Sequence, residues 1–391
     1  MRMALEGVKV LDLASMWAAP LCGMYLADQG ADVIKVEPPE GDEARRLFTH
    51  PSLGNESPSF LAVNRNKRGI VVDLRKPEGL DIVKRLAKRS DVLIHNFRER
   101  AVQRMGLSYE SLSKDNPGLV YVPLTAFGRK GPYASRPGYD LLVQAMSGIM
   151  HRRVQGTPIG AGIWATDAAT PIALAYGVAL ALLERSRTGR GQVVETSLLN
   201  IGLALQVMDL VQPAALGKSE RASSNQAVFA PYRCADDKWL LIVALSNKEW
   251  GRVCRALDLP HLSQDLNYAT PQLRADHSLE LFDILETTFL TKTREEWLAI
   301  LTREDAPCVP ILDRSDIYTH PQTLANGMIE EVKHATAGRT TMTGVPLRLS
   351  ANPPRKPGPS PLQGEHTVEV LRELGYDAAA IAALEQRGVV K

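Results

Sequence analysis

The chain has 391 residues, 45% of them hydrophobic and 23% charged, and a formal net charge of +2. That length and apolar content support a sizeable core and two domains, while the near-neutral balance excludes a nucleic-acid binder that works through a large charge excess. Cys22, Cys234, Cys254 and Cys308 are scattered with no C-x-x-C pair, which excludes a zinc knuckle or a disulfide framework and points to reduced thiols in a cytoplasm.

Strand-like and helix-like segments alternate through the first half. VKVLD (Val8 to Asp12) reads as a buried strand, Ala18 to Gln29 as a helix ended by Gly30, and DVIKVE (Asp32 to Glu37) as a second strand. IVVDL (Ile70 to Leu74) follows, then a helix over Glu78 to Arg89 and two apolar strands, DVLIHN (Asp91 to Asn96) and LVYVPL (Leu119 to Leu124). A helix over Pro171 to Arg187 ends at Gly189, and VVETSL (Val193 to Leu198) closes the series. Strands rich in Val, Ile and Leu between helices predict a parallel sheet covered on both faces.

The character changes after Asn200. A turn and strand in DDKWLLIVAL (Asp236 to Leu245) and helices over Lys248 to Leu257, Ser278 to Phe289 and Arg294 to Arg303 predict a smaller α+β domain. PPRKPGPSP (Pro353 to Pro361) reads as an extended crossing segment, compatible with a connection between domains, before two terminal helices, Thr367 to Leu374 and one capped by Asp377. The expected domains are 1–200 (large, N-terminal part), 225–320 (small) and 330–391 (return to the large domain). Glu6 and Asp12 interrupt any signal sequence, and the longest apolar run, Ile172 to Leu183, is shorter than a bilayer span. A soluble protein without membrane or nucleic-acid partners is expected.

The turn after the first strand, DLASMWAAP (Asp12 to Pro20), contains no glycine, so it lacks the G-x-G-x-x-G that lets backbone approach a pyrophosphate. G-x-x-x-x-G-K-[ST] and G-x-S-x-G are absent as well. Basic residues cluster in NRNKRG (Asn64 to Gly69), at Arg75, in NFRER (Asn96 to Arg100) and at Arg104. Two readings of these clusters stay open: a solvated face, or phosphate-binding cations at strand ends. Asp167, in GIWATDAATP, is the only acid between Asp140 and Glu184. It reads either as a helix cap or, because Thr170-Pro171 already forms a good cap and first-turn pair, as a carboxylate held ionised by the helix dipole and usable as a nucleophile.

Together these segments resemble the class III CoA-transferases, the CaiB/BaiF or formyl-CoA transferase-like family. The resemblance runs from about Leu5 to the end, through VIKVEPPEGD (Val33 to Asp42), NRNKRGI, KPEG (Lys76 to Gly79), DVLIHNFR, RMGL (Arg104 to Leu107), FGRKGPY (Phe127 to Tyr133), RPGYD (Arg136 to Asp140), the Asp167 segment and RTGRGQ (Arg187 to Gln192). It implies an α/β fold with a Rossmann-like large domain, a smaller α+β domain, and an interlocked homodimer that is not stable as a monomer. It implies Asp167 as the catalytic aspartate. CoA contacts are implied at Trp17 and Ala18, at Val72, Asp73, Leu74 and Arg75, at Asn96, Phe97 and Arg98, at Arg104, and at Pro137, Gly138, Tyr139 and Asp140. Arg65, Lys67 and Arg68 are then read as structural.

The implied reaction moves CoA from an acyl-CoA donor to a carboxylic acid through a mixed anhydride and an aspartyl-CoA thioester on Asp167, with backbone N–H groups at the helix start as oxyanion donors. CoA is a substrate in this scheme, and neither metal nor redox cofactor is implied. Short dicarboxylates, with succinyl-CoA as donor, fit the scheme; Arg45, Arg46, Arg152 and Arg153 are candidates for a distal carboxylate, with plain surface roles as the alternative. Trp17 stands where the formyl-CoA/oxalate enzymes carry Gln, and VALSNKEW (Val243 to Trp250) stands in place of their glycine-rich lid, so oxalate is not supported. The alternatives are an α-methylacyl-CoA racemase-type isomerase, whose motif histidine is Tyr139 here, and a non-catalytic CoA-binding protein.

Overall fold

A computed structural model describes residues 2–211 and 227–391. The chain divides into two compact units, one of Met1–Val211 with Ala325–Lys391 and one of Gln212–Leu324.

The first unit is built on a six-stranded sheet of β1 (Lys9–Asp12), β2 (Asp32–Glu37), β3 (Arg68–Val71), β4 (Val92–His95), β5 (Val120–Thr125) and, after a small β6–β7 hairpin (Arg153–Val154, Thr157–Pro158), β8 (Thr196–Ser197). The order is β3-β2-β1-β4-β5-β8, and every pairing in it is parallel. The helices between the strands are α1 (Ala18–Asp28), α2 (Pro58–Asn64), α3 (Pro77–Lys88), α4 (Glu99–Met105), α5 (Tyr109–Leu112), α6 (Asp140–Ser147), α7 (Ala165–Thr188) and α8 (Leu198–Ala204).

Strand period explains why the sheet needs cover on both faces. Val10, Val33, Val92, Ile94, Val120 and Val122 enter one core with α1 and α7. Their neighbours Leu11, Leu93 and Tyr121 enter the opposite core with α3 and the C-terminal helices. Consecutive residues point to opposite faces, so an all-apolar strand is stable only when both faces are buried. The expected last strand, Val193 to Leu198, shrinks to Thr196–Ser197 plus a bridge from Val193 to Tyr121, because the Ser197 hydroxyl caps α8 immediately afterwards.

The second unit pairs β9 (Phe229–Arg233), β10 (Trp239–Val243) and β11 (Cys308–Pro310) in an antiparallel sheet. Helices α9 (Asn247–Ala256), α10 (Pro260–Gln264), α11 (Pro271–Asp276), α12 (Ser278–Phe289) and α13 (Arg294–Arg303) accompany it. VALSNKEW is the end of β10 followed by α9, whose start is secured by a Ser246–Glu249 capping box.

After α14 (Pro321–Ala325) come a hairpin of β12 (Ile329–His334) and β13 (Gly338–Thr343) and the helices α15 (Thr367–Glu373) and α16 (Ala378–Gln386), the last capped by Asp377 as its sequence predicts. The Pro353 to Pro361 segment does not run between the units. It crosses the first unit, where the Arg355 N–H donates to the Asp28 carbonyl, the Gly358 N–H to Asn66, and the Asn66 N–H to the Pro359 carbonyl.

Candidate active site

The site is built at the start of α7. The sequence predicts a helix opening at Thr170-Pro171; the helix instead begins at Ala165 with Trp164 as N-cap, and Pro171 lies inside it. The cap comes from a distant element. Asp140, 1% exposed at the start of α6, accepts the backbone N–H groups of Thr166 (2.7 Å) and Asp167 (3.1 Å) and the Thr166 hydroxyl (2.6 Å). A buried carboxylate thus satisfies donors that a helix start leaves open. Gln144 completes the brace: its amide donates to the other Asp140 oxygen and to the Ile163 carbonyl (2.9 Å), and its oxygen accepts the Ala161 N–H (2.9 Å). Pro171, four residues beyond Asp167, has no N–H to give the Asp167 carbonyl.

Asp167 is half-buried, and among the described residues no hydrogen bond is donated to its carboxylate. Burial, and secondarily the Asp140 carboxylate, push it up to about 7. Desolvation and a like charge thus outweigh the helix dipole, so the terminus does not hold Asp167 fully ionised; near neutral pH about half of it carries the charge. The first-turn N–H groups are also unavailable as oxyanion donors in this state. Those of Thr166 and Asp167 go to Asp140, that of Ala165 to the Ile163 carbonyl and that of Ala168 to the Trp164 carbonyl.

Trp17 caps α1, which packs along α7, and its ring lies 5.0 Å from that of Trp164 and 6.3 Å from that of Phe48. Its indole N–H is buried and has no partner among the described residues. Ala18 is buried beside it. This tilted aromatic contact joins the caps of α1 and α7; for Trp164 the sequence left two readings open, shaping an acyl pocket or simply packing.

The remaining expected CoA residues divide by what already holds them. Val72 is buried inside the strand core and Asp73 is buried against Arg75 (2.7 Å); Leu74 is half-buried, and Arg75 is exposed and also pairs with Glu40 (3.4 Å). The Asn96 amide is occupied at the junction of β1 and β4, giving a hydrogen bond to the Ser15 carbonyl (2.8 Å) and accepting the Ser15 N–H (3.1 Å). Phe97 packs on the core. Arg98 and Arg104, at the two ends of α4, are exposed and carry no side-chain partner among the described residues. Pro137 is exposed; a Cβ at Gly138 would come within 2.3 Å of Ala126, so the backbone there needs glycine. Tyr139 is 59% exposed, and Asp140, expected at the ligand, is spent on α7.

The cluster at Asn64 to Gly69 is neither a solvated face nor a phosphate site. Arg65 pairs with buried Asp28 (2.8 Å), Lys67 with buried Asp12 (2.8 Å), and Arg68 with Asp32 (2.6 Å), Glu369 and Glu373. Arg45 is likewise held by Glu37 (2.7 Å) and stacked on Phe60. His95, outside any expected site, is buried, accepts the Phe97 N–H (3.2 Å) and is pushed down to about 3 by desolvation and by Arg129, so it stays neutral. A concavity of about 430 Å³ lies instead against α3 and α16, lined by Glu78, Asp81, Tyr376 and Arg387 among others, and none of the expected site residues borders it.

Comparison with known proteins identifies the family. The profile of CoA-transferase family III matches residues 5–367. The chain is 38% identical to the succinyl-CoA:glutarate CoA-transferase of Mus musculus, over 99% of this chain and 90% of that protein, and 35% identical to the human protein of the same name over the same shares. A CaiB/BaiF family protein from Brucella suis superposes with a TM-score of 0.82 at 33% identity, covering 96% of this chain and all of that one. The chain belongs to CoA-transferase family III and is an enzyme that transfers CoA.

Proposed function

We propose that the enzyme moves CoA between succinyl-CoA and a short dicarboxylic acid, with Asp167 carrying first the acyl group and then CoA. The observation that carries this reading is a half-buried carboxylate with no donor on it among the described residues, at the start of a helix braced by Asp140. Its raised proton affinity makes it a more basic nucleophile than an exposed acid, while leaving it substantially ionised near neutral pH. The dicarboxylate is supported by the mouse and human relatives, whose names give succinyl-CoA and glutarate as substrates.

In the proposed sequence an Asp167 oxygen attacks the thioester carbonyl, the C–S bond breaks, and CoA thiolate leaves a mixed anhydride. The thiolate attacks the Asp167 carbonyl, expelling succinate and forming an aspartyl-CoA thioester. The acceptor carboxylate attacks that thioester, and the same two exchanges then run in reverse order to restore Asp167. Each step exchanges one acyl bond for another, so no external energy source enters. Arg98 and Arg104, without side-chain partners among the described residues, are proposed to meet the phosphates of CoA; Trp17, Ala18, Leu74, Arg75, Phe97, Pro137 and Tyr139 are proposed to flank the bound thioester. The scheme uses no metal or redox group.

The proposed assembly is a homodimer in the cytoplasm. Helix α7 is long and apolar enough, by length and composition, to cross a bilayer, and the sequence understated it by starting the helix at Pro171. One side of it packs on α1 and α8, whereas Ile172, Tyr176, Leu180 and Leu183 are exposed in this single chain, as are Leu141, Leu142 and Met146 on α6. A contiguous apolar face of this kind suits burial by a second copy, and the four free cysteines suit a reducing compartment. A monomeric mass by light scattering at micromolar concentration contradicts the dimer.

The racemase reading finds no imidazole at Tyr139. Incubation with succinyl-CoA followed by hydroxylamine should give a hydroxamate on Asp167, seen by mass spectrometry of the digested peptide. Asp167→Ala should abolish transfer while CoA binding persists. Transfer that survives in this variant sinks the assignment, and a screen of acids by mass of the CoA products fixes the acceptor.

A further inference from the structure

The turn between β1 and α1 has no glycine, yet Met16 adopts a left-handed backbone with φ of 70°. A non-glycine residue takes that conformation only where its surroundings over-determine it. Here Ala14, Ser15 and Met16 are each held by a side chain from another part of the first unit. Ala14 donates to Asp12 (3.0 Å) and its carbonyl accepts the Lys35 ammonium; Ser15 is bonded through both backbone groups to Asn96; and the Met16 N–H goes to Asp42 (3.1 Å). Lys35 and Asp42 are themselves an ion pair (2.6 Å), each about 1% exposed. Asp42 is fixed in turn by the Ala44 N–H (2.9 Å) and by its own N–H to Glu37 (3.0 Å).

We propose that Lys35 and Asp42 are positioning residues for CoA transfer. They lock left-handed Met16, and through it hold the Trp17 ring against Trp164 at the start of the helix that carries Asp167. Neither residue reaches the substrate. The pair grips the turn on both sides of Ser15, Lys35 at Ala14 and Asp42 at Met16, so removing it releases left-handed Met16, next to Trp17, while Asn96 still holds Ser15. Burial alone would push Lys35 down, but Asp42, Asp12 and Glu37 hold it above its ordinary value, so it stays cationic; Lys35 and the backbone donors keep Asp42 ionised against its own burial. A structural ion pair needs only a charge partner. This one also spends two further hydrogen bonds on the turn backbone, at Ala14 and at Met16, which is what fixing a turn requires.

The inference rests on the transferase reading for its rate effect but not for its geometry, so two readouts are paired. The Trp17 and Trp164 rings, 5.0 Å apart and inclined by 55°, should produce an exciton couplet in the far-ultraviolet circular dichroism of the wild type, to be assigned by its loss in Trp17→Phe. Asp42→Asn should weaken the couplet and lower kcat by about ten- to a hundredfold, as displaced catalytic geometry does, with the KM for acyl-CoA little changed. The double variant Lys35→Met/Asp42→Leu removes both charges together, which buried cores tolerate, and so restores stability without the turn bonds. A positioning role predicts that its couplet and kcat stay low once stability recovers. Recovery of both along with stability overturns the inference. If the wild type transfers no CoA, the reaction assignment fails, and the couplet of the double variant still decides the positioning role.

Discussion

Two basic stretches, Asn64 to Gly69 and Asn96 to Arg104, look alike in the sequence and end in opposite environments. In the first, Arg65 and Lys67 lie inside the protein, each on a buried aspartate, and Arg68 gathers three acids from β2 and α15. In the second, Arg98 and Arg104 sit at the ends of a short exposed helix with no partner among the described residues. The difference lies in the acids. Asp12, Asp28 and Asp32 belong to β1, α1 and β2, which the fold packs against the segment that leads into β3, whereas among the described residues no acid pairs with Arg98 or Arg104. A charge is structural where the fold supplies its counter-ion and available to ligand where the fold withholds it.

The largest expected effect breaks the first stretch. Lys67→Ala leaves Asp12 buried and unpaired and should cost about 3–5 kcal/mol by urea denaturation. A stable variant with a raised acyl-CoA KM instead would erase the contrast. In the second stretch, Arg104→Ala or Arg98→Ala should raise the KM for acyl-CoA about tenfold with stability unchanged, a loss on the scale of one charge-assisted hydrogen bond. Loss of stability without a KM effect would move both arginines into the structural class.

Two acids sharpen the same contrast, one spent on structure and one left open. With Asp167 pushed up to about 7, kcat/KM should fall on acidification through that pH, because only the ionised form attacks. Asp140→Asn keeps the shape but removes the neighbouring charge, so this acidic limb should move to lower pH; an unmoved limb would show that burial alone raises Asp167. The smallest effect is on stability. A folded-state value raised above the unfolded one favours the protonated acid, so the wild type loses stability as pH rises through 7. Asp167→Asn, which cannot ionise, should therefore gain about 1–3 kcal/mol on the wild type between pH 4, near the unfolded value, and pH 8. Equal differences at both values would contradict a raised proton affinity.

Much of the fold was legible because it depends on local pattern. The apolar strands β1, β2, β4 and β5, the amphipathic α3 and the capped α16 follow period and capping residues that lie within each segment. The start of α7 was misread for a reason with the same logic. Thr170-Pro171 is a good local cap, but Asp140 offers a better one from α6, and a cap supplied across space leaves no trace at the helix it caps. The β12–β13 hairpin and the path of Pro353 to Pro361 within the first unit were also invisible, since partners far along the chain decide them.

The sequence by itself determined the class of fold, the family and the acid on which the chemistry is proposed to turn, because residue types, their order and their period are one-dimensional properties. Only the tertiary structure decided which charges are free, that Asp140 braces Asp167 instead of facing ligand, and that burial raises the proton affinity of Asp167 where the helix dipole alone would lower it. Desolvation and through-space charge depend on which distant residues the fold packs together, and no window of sequence contains them.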